Sequence, residues 1–175
     1  MTLSEAKELL KENNIPFSET CFSSISEFCL HIDPYVKCIC NNTPVISLTV
    51  KSNNGQKNIE LEFIDENNDG NYSLYDLWFG GFSYEFFVYE EECLRQSVLY
   101  EINRIISNNM IFIVANDLKK KKWLGDACFD LREAEDDFGK SMQRIKKPKS
   151  FISKLTKSQE LYEIYDWNTY QRIIK

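Results

Sequence analysis

Residues 72–106 constrain the fold more than any other part of the sequence, because a strand-type pattern changes to a helix-type pattern within them. Tyr72, Leu74 and Trp78 recur at the period of two that is typical of a strand with one buried face. The Gly80-Gly81 pair that follows supplies the positive φ that a tight hairpin requires. A second run then carries an aromatic face at the same period, formed by Phe82, Tyr84, Phe86 and Val88.

The pattern becomes helical after Tyr89. The three glutamates at positions 90–92 suit the positive end of a helix dipole. Apolar residues then recur at helical spacing, at Leu94, Val98, Ile102, Ile105 and Ile106. The sequence therefore predicts a hairpin with a helix docked on it as the nucleus of the core.

The composition fits one globular domain. With 175 residues, a hydrophobic fraction of 43% and an aromatic fraction of 14%, the chain can bury a sizeable core. We expect this domain to span residues 1–175, with residues 146–175 as an extended C-terminal segment. No apolar run approaches the roughly 20 residues that a membrane-spanning helix needs, and the first residues form an amphipathic pattern rather than a signal peptide. A cytoplasmic protein without a membrane partner is therefore expected.

The net charge bears on the class of partner, and the cysteines bear on the redox state of the thiols. The formal net charge of −6 disfavours nonspecific binding to nucleic acid, and it favours a basic partner or simply solubility. The two basic runs, residues 119–122 and 144–149, lack the interleaved aromatics of a single-strand binding groove and are interpreted as solvated ends. In a reducing compartment the six cysteines are expected to be free thiols, most of them buried as small apolar groups.

A second alternating pattern lies upstream of the central hairpin. Ile59, Leu61 and Phe63 alternate with Glu60 and Glu62. This pattern predicts a strand that buries one face and shows an acidic face to solvent, as in an antiparallel sheet covered on one side.

The remaining segments complete the predicted fold. The pairs Thr2 with Glu5 and Ser24 with Glu27 match the capping-box pattern, which predicts a first helix from Leu3 and a second over residues 25–32, where a strand is the competing prediction. Residues 35–40, 45–50, 110–115 and 123–131 are predicted as strands, residues 132–145 as a helix, and the tail as a strand or helix that docks back. The fold class is therefore α+β, a mostly antiparallel sheet with three or four helices packed on it.

One loop matches a calcium-binding pattern. Asp65, Asn67, Asp69 and Gly70 occupy its first, third, fifth and sixth positions, and Asp76 its twelfth. The Asp at the twelfth position resembles the loops of bacterial dockerin modules more than those of calcium sensors. A β-patterned run follows this loop in place of the expected helix, and the same residue types also suit a plain strand connection. A turn and a divalent-ion site therefore both remain open.

Catalytic patterns are weak. His31 is the chain's only histidine, and no nucleophile-elbow or cysteine-hydrolase signature accompanies it. Cys29, His31 and Asp33 are close in sequence, but a spacing of two on a helix points neighbours apart. Zinc binding by Cys38 and Cys40 would require a C-x-C spacing that structural zinc sites rarely use. The sequence thus predicts a protein that is not an enzyme and carries no cofactor.

Acidic and aromatic residues concentrate on the predicted sheet. Acidic side chains beside exposed aromatics let a small inhibitor recognise a basic surface, since the charges speed encounter and the aromatics act as anchors. The alternative is that the aromatics are core and the charges face solvent. The predicted partner-binding residues are Glu60, Glu62, Asp76, Trp78, Glu85, Phe87 and Tyr89.

The segments YDLWFGGFSYEFFVYEEE, WLGDACFDL and YEIYDWNTYQRIIK, in an acidic, asparagine-rich chain without an active-site signature, are similar in style to small immunity proteins of bacterial toxin systems. That resemblance implies a protein that binds and neutralises a cognate toxin, often a basic nuclease domain, by covering its active surface. It assigns no role to any single residue.

Overall fold

The computed structural model describes residues 1–35, 42–65, 69–84, 91–147 and 159–175, without the side chains of residues 91 and 92. The helices within these residues are α1 (Leu3–Glu12), α2 (Ile25–Ile32), α3 (Glu91–Ile106) and α4 (Leu131–Lys146). The strands are β1 (Ser18–Phe22), β2 (Val45–Val50), β3 (Ile59–Ile64), β4 (Ser73–Phe79), β5 (Phe82–Tyr84), β6 (Met110–Asp117), β7 (Lys122–Asp130), β8 (Glu160–Tyr165) and β9 (Tyr170–Ile174).

The strands form two antiparallel sheets, which confirms the predicted α+β class. The five-stranded sheet has the order β1-β2-β3-β4-β5, and the four-stranded sheet has the order β7-β6-β8-β9. Strand β6 lies between β7 and β8, as its continuous apolar run predicts. The tail docks back as the β8-β9 hairpin, so the strand prediction is confirmed for it.

Local sequence signals explain where the first two helices begin. Thr2 and Glu5 form the predicted capping box, in which the Thr2 hydroxyl accepts from the Glu5 amide and the Glu5 carboxylate accepts from the Thr2 amide. The Ser24 hydroxyl accepts from the Glu27 amide at 3.2 Å and begins α2. Residues 25–32 are therefore a helix and not the competing strand.

The two sheets share one hydrophobic core. Phe79 of β4 contacts Phe112 of β6 and Tyr165 of β8, with ring centroids 5.0 and 5.3 Å apart. The hydroxyl of Tyr165 donates to the carbonyl oxygen of Phe79 at 2.8 Å, so a hydrogen bond also crosses between the sheets. Helix α3 packs on this core through Val98, Ile102 and Ile105, as its spacing predicts.

The prediction of a solvent-facing acidic side of β3 is wrong. The side chains of Glu60 and Glu62 are each only 2% exposed. Helix α2 lies against the same side of the five-stranded sheet, where its Phe28 and Ile32 pack with neighbouring apolar residues. The alternation separates the two sides of the strand correctly, but both sides are covered.

The cysteines also depart from expectation. Cys21, Cys93 and Cys128 are free thiols, as predicted, but their side chains are exposed rather than buried. Cys29 is buried and disulfide-bonded. Cys38 and Cys40, together with most of the strand predicted for residues 35–40, lie outside the described residues.

Within the described part of the chain, every helix falls short of the length and apolar character that crossing a bilayer would require.

The turn between β4 and β5 yields a stability prediction. Gly80 has a φ of +57°, and a Cβ there would lie 2.8 Å from Cδ of Lys57 and 2.9 Å from the hydroxyl oxygen of Tyr165. Gly80→Ala should therefore lower the free energy of unfolding by about 1–3 kcal/mol in urea denaturation. Gly139→Ala is the matched control, because Gly139 lies in α4 with open space around it. Alanine there should raise the free energy of unfolding by up to about 1 kcal/mol. Equal changes in the free energy of unfolding for the two variants would contradict the conclusion that the turn at Gly80 has no room for a Cβ atom.

Candidate functional site: a cleft between the two sheets

A cleft of about 270 Å³ opens where the β4-β5 hairpin approaches β7. Its residues come from the chain after α2, from the hairpin and from one edge strand of the four-stranded sheet. The described residues that line the cleft are Tyr35, Trp78, Gly81, Ser83, Lys122, Trp123 and Asp126. Two tryptophans and a tyrosine thus meet with a carboxylate and an ammonium group in one small space.

The backbone ladders place the two tryptophans. Trp78 lies opposite Glu60 on β3 and opposite Ser83 on β5. Its indole Nε1 donates to Oε2 of Glu62 at 2.8 Å, which holds the half-buried ring in one orientation. Trp123 stands at the start of edge strand β7 and is 41% exposed, and the next residue, Leu124, is 47% exposed.

Glu60 and Glu62 are internal groups of this region rather than contact residues. The hydroxyls of Ser47 and Thr49 donate to Glu60 Oε2 at 2.6 and 2.7 Å, and the His31 Nε2 atom lies 3.4 Å from Glu60 Oε1. Glu62 accepts the indole proton of Trp78, and its burial raises the pKa of its carboxyl group although that hydrogen bond opposes the shift. The predicted role of both glutamates in a partner-binding surface is therefore wrong.

A buried carboxylate lies directly behind the cleft. Asp33 is 1% exposed, and its Oδ1 atom accepts from the Tyr35 amide at 2.8 Å. Its Oδ2 atom is buried and has no hydrogen-bond partner among the described residues. A Cβ at position 81 would lie 2.7 Å from Oδ2, so the glycine leaves the space that this oxygen occupies.

Burial and two neighbouring charged groups act on the pKa of Asp33. Burial raises the pKa of Asp33, while the nearby Lys57 lowers it and Glu163 raises it. The ammonium group of Lys57 is paired with Glu163, since Nζ lies 3.2 Å from Oε2. The Tyr170 hydroxyl donates to the same glutamate. Two buried carboxylates therefore share one lysine at the junction of the sheets.

A second unsatisfied polar group lies beside Trp123. Asn116 on β6 is 0% exposed, and neither amide atom of its side chain has a partner in the part of the chain that the structure describes. The ladder pairs Asn116 directly with Trp123 of β7, so the two side chains lie on the same side of the sheet. Native proteins rarely leave such groups unpaired.

The structure brings together only some of the predicted partner-binding residues. Trp78 lines the cleft, and Asp76 is half-buried on β4 opposite Glu62. Glu85, Phe87 and Tyr89 lie outside the described residues. Trp123, Asp126 and Asn116 were not among the residues predicted from sequence. Asn116 could have been selected, because it is a polar residue that directly follows the apolar run of β6.

In the described part of the calcium pattern, the Asp65 carboxylate accepts two backbone hydrogen bonds. Asp65 is buried, its Oδ1 accepts from the Asp69 amide at 3.1 Å and its Oδ2 accepts from the Gly70 amide at 2.7 Å. Asp76 belongs to β4 and faces Glu62, and Asn67 lies outside the described residues. Among the residues with described positions, no group of three or more His, Cys, Asp or Glu side chains could hold a metal ion.

Comparisons of the chain with protein-family models, with curated proteins and with solved structures gave no match. The resemblance to immunity proteins therefore stays a prediction. Function has to be inferred from the side chains of the cleft and from the charge of the chain.

The environment of Glu62 predicts a pH-dependent stability difference. Because burial raises its pKa, the folded protein binds a proton there more readily than the unfolded chain, so this group destabilises the fold increasingly as pH rises above 4.5. Glu62→Gln keeps an oxygen for the Trp78 indole and carries no charge. We expect this variant to be more stable than the wild type at pH 7, with the difference shrinking toward pH 4, in urea denaturation at several pH values.

Glu60→Gln is the control for this comparison. Its carboxylate accepts two hydroxyl hydrogen bonds that the loss of charge weakens, so we expect a destabilisation of about 1–2 kcal/mol at pH 7. A loss of stability for Glu62→Gln as large as that for Glu60→Gln would contradict the conclusion that the buried charge of Glu62 destabilises the fold at pH 7.

Proposed function

We propose that this chain is an immunity protein, which binds a basic bacterial toxin and neutralises it by covering the toxin's active surface. We further propose that the contact is made by the cleft surface, defined as Tyr35, Trp78 and Trp123 of the cleft lining together with the exposed Leu124, which follows Trp123 in β7. The observation that carries the proposal is the exposed Trp123 beside the fixed Trp78 at the cleft, in a chain of net charge −6.

The side chains of the cleft surface are of the kind that dominate protein interfaces. Tryptophan and tyrosine are enriched among the residues that carry most of the binding free energy. The hydrogen bond from Trp78 to Glu62 orders its ring before any partner arrives, which reduces the entropy lost on binding. The adjacent Trp123 and Leu124 add exposed apolar area on an edge strand.

The charge of the chain suits a basic partner. With β3 covered, exposed carboxylates lie elsewhere, including Asp126 at the cleft. The first half of α4 carries a further exposed acidic group, formed by Glu133, Glu135, Asp136 and Asp137. Negative charges accelerate association with a positively charged protein and disfavour binding to nucleic acid, whose phosphates are also negative.

Action in the cytoplasm is part of this proposal. The free thiols of Cys21, Cys93 and Cys128 are compatible with a reducing compartment. The disulfide bond at Cys29 is the observation that opposes it.

The proposal predicts that partner capture depends on Trp123. In affinity capture from a lysate of the native host, the wild type should retain one basic protein in stoichiometric amount, and Trp123→Ala should weaken its binding by roughly 30-fold or more. Tyr100→Ala is the control, because Tyr100 is also an exposed aromatic but lies on α3. The captured protein should arrest growth when produced alone and should be harmless when produced with the wild type.

Two outcomes would contradict the proposal. One is a captured protein whose production alone does not affect growth. The other is equal retention by the Trp123→Ala and Tyr100→Ala variants.

A further inference from the structure

We propose that the cleft binds the guanidinium group of a single arginine side chain of the partner protein, against Trp78 and Trp123 and hydrogen-bonded to Asp126. This inference rests on the proposed function, because the arginine belongs to the neutralised protein. It names the chemistry by which the cleft recognises that protein.

The size of the cleft favours one side chain as its occupant. Pockets for drug-sized ligands and cofactors hold roughly 300–1,000 Å³. At about 270 Å³ the cleft lies below this range. A long side chain that projects from a docked protein fits such a space.

The aromatic lining favours a cation. The ring faces of tryptophan and tyrosine carry negative electrostatic potential and attract guanidinium groups placed over them. Arginine is planar, so it can stack on a ring and at the same time donate hydrogen bonds from its edge. Tyr35, Trp78 and Trp123 supply the rings, and Trp78 is already held in place by Glu62.

The acidic groups of the cleft supply acceptors and negative charge. Asp126 lines the cleft directly, and partial desolvation there raises the pKa of its carboxyl group. A guanidinium ion that pairs with this carboxylate would replace the lost hydration by two charge-assisted hydrogen bonds.

The buried groups behind the lining act in the same direction. Asp33 Oδ2 lies against Gly81, which lines the cleft, and it has no partner within the described residues. The ammonium group of Lys57, which lowers the pKa of Asp33, is paired with Glu163. An unbalanced carboxylate in a low-dielectric region attracts a cation without direct contact.

Among the described residues that line the cleft, Lys122 carries the one cationic side chain, and its charge opposes an arginine. Its side chain is exposed and can extend into solvent. An anion-binding cleft would depend on Lys122, whereas an arginine-binding cleft would bind more tightly without it. Lys122→Gln therefore separates the two kinds of ligand.

The test uses N-acetyl-arginine-N-methylamide as the probe, with the citrulline analogue as its neutral isostere and inorganic phosphate as the anion. Binding is followed by NMR through the indole N–H signals of Trp78, Trp123 and Trp167. We expect the arginine compound to shift the signals of Trp78 and Trp123 saturably at millimolar concentration and to leave Trp167 of the β8-β9 turn unchanged. The citrulline compound should bind about tenfold more weakly.

Three variants sharpen the test. Asp126→Asn should weaken binding of the arginine compound about tenfold, and Lys122→Gln should strengthen it about threefold. Tyr100→Ala should have no effect, because Tyr100 lies on α3 and is not among the described residues that line the cleft. Equal binding of the citrulline compound, a shift by phosphate that needs Lys122, or no shift of Trp78 and Trp123 would each overturn the inference.

The result also separates this inference from the proposed function. If the arginine compound does not bind but Trp123→Ala still abolishes partner capture, the cleft surface docks a protein without an arginine in the cleft. If the arginine compound binds but partner capture is insensitive to Trp123→Ala, the cleft is an arginine site and the proposed docking surface is wrong.

Discussion

The contact between Phe79 and Tyr165 joins the two sheets next to the cleft. These two side chains come from different sheets, and their rings pack edge to face with a centroid distance of 5.3 Å. The Tyr165 hydroxyl is buried and donates to the Phe79 carbonyl, so it stays satisfied without water. This contact holds the end of β4 against the four-stranded sheet. The hairpin turn that follows it, including Gly81, consequently lies beside Val114 and Asp33.

The same junction concentrates polar groups that a purely apolar interface would exclude. Asp33, Glu163 and Lys57 are largely removed from water, and Asp33 and Asn116 retain atoms without partners in the described part of the chain. A buried polar group that stays unpaired costs a folded state about 1–3 kcal/mol. Natural proteins usually retain such costs at sites that bind or react. The position of these groups directly behind an aromatic cleft is therefore the main structural argument for a binding site there.

The sequence predicts the elements of this fold better than their mutual arrangement. Local patterns located α1, α2 and β6, because capping residues and apolar periodicity act within a few positions. The burial of Glu60 and Glu62 could not be predicted, since it depends on α2 packing over their side of the sheet. The cleft joins Trp78 to Trp123 through long-range packing, which no local pattern reports. The sequence identified Trp78 as a partner-binding residue. It gave no reason to place Asp33 at the same site, because Asp33 was considered only as a neighbour of His31.

Because the cleft exists only where the two sheets meet, we expect the sheets to unfold as one cooperative unit. Differential scanning calorimetry should therefore give a single unfolding transition whose calorimetric and van't Hoff enthalpies agree. Tyr165→Phe removes the hydrogen bond to Phe79, worth about 1 kcal/mol, and should move that whole transition to lower temperature. Two separate transitions, or a shift of only one of them in the variant, would contradict this expectation.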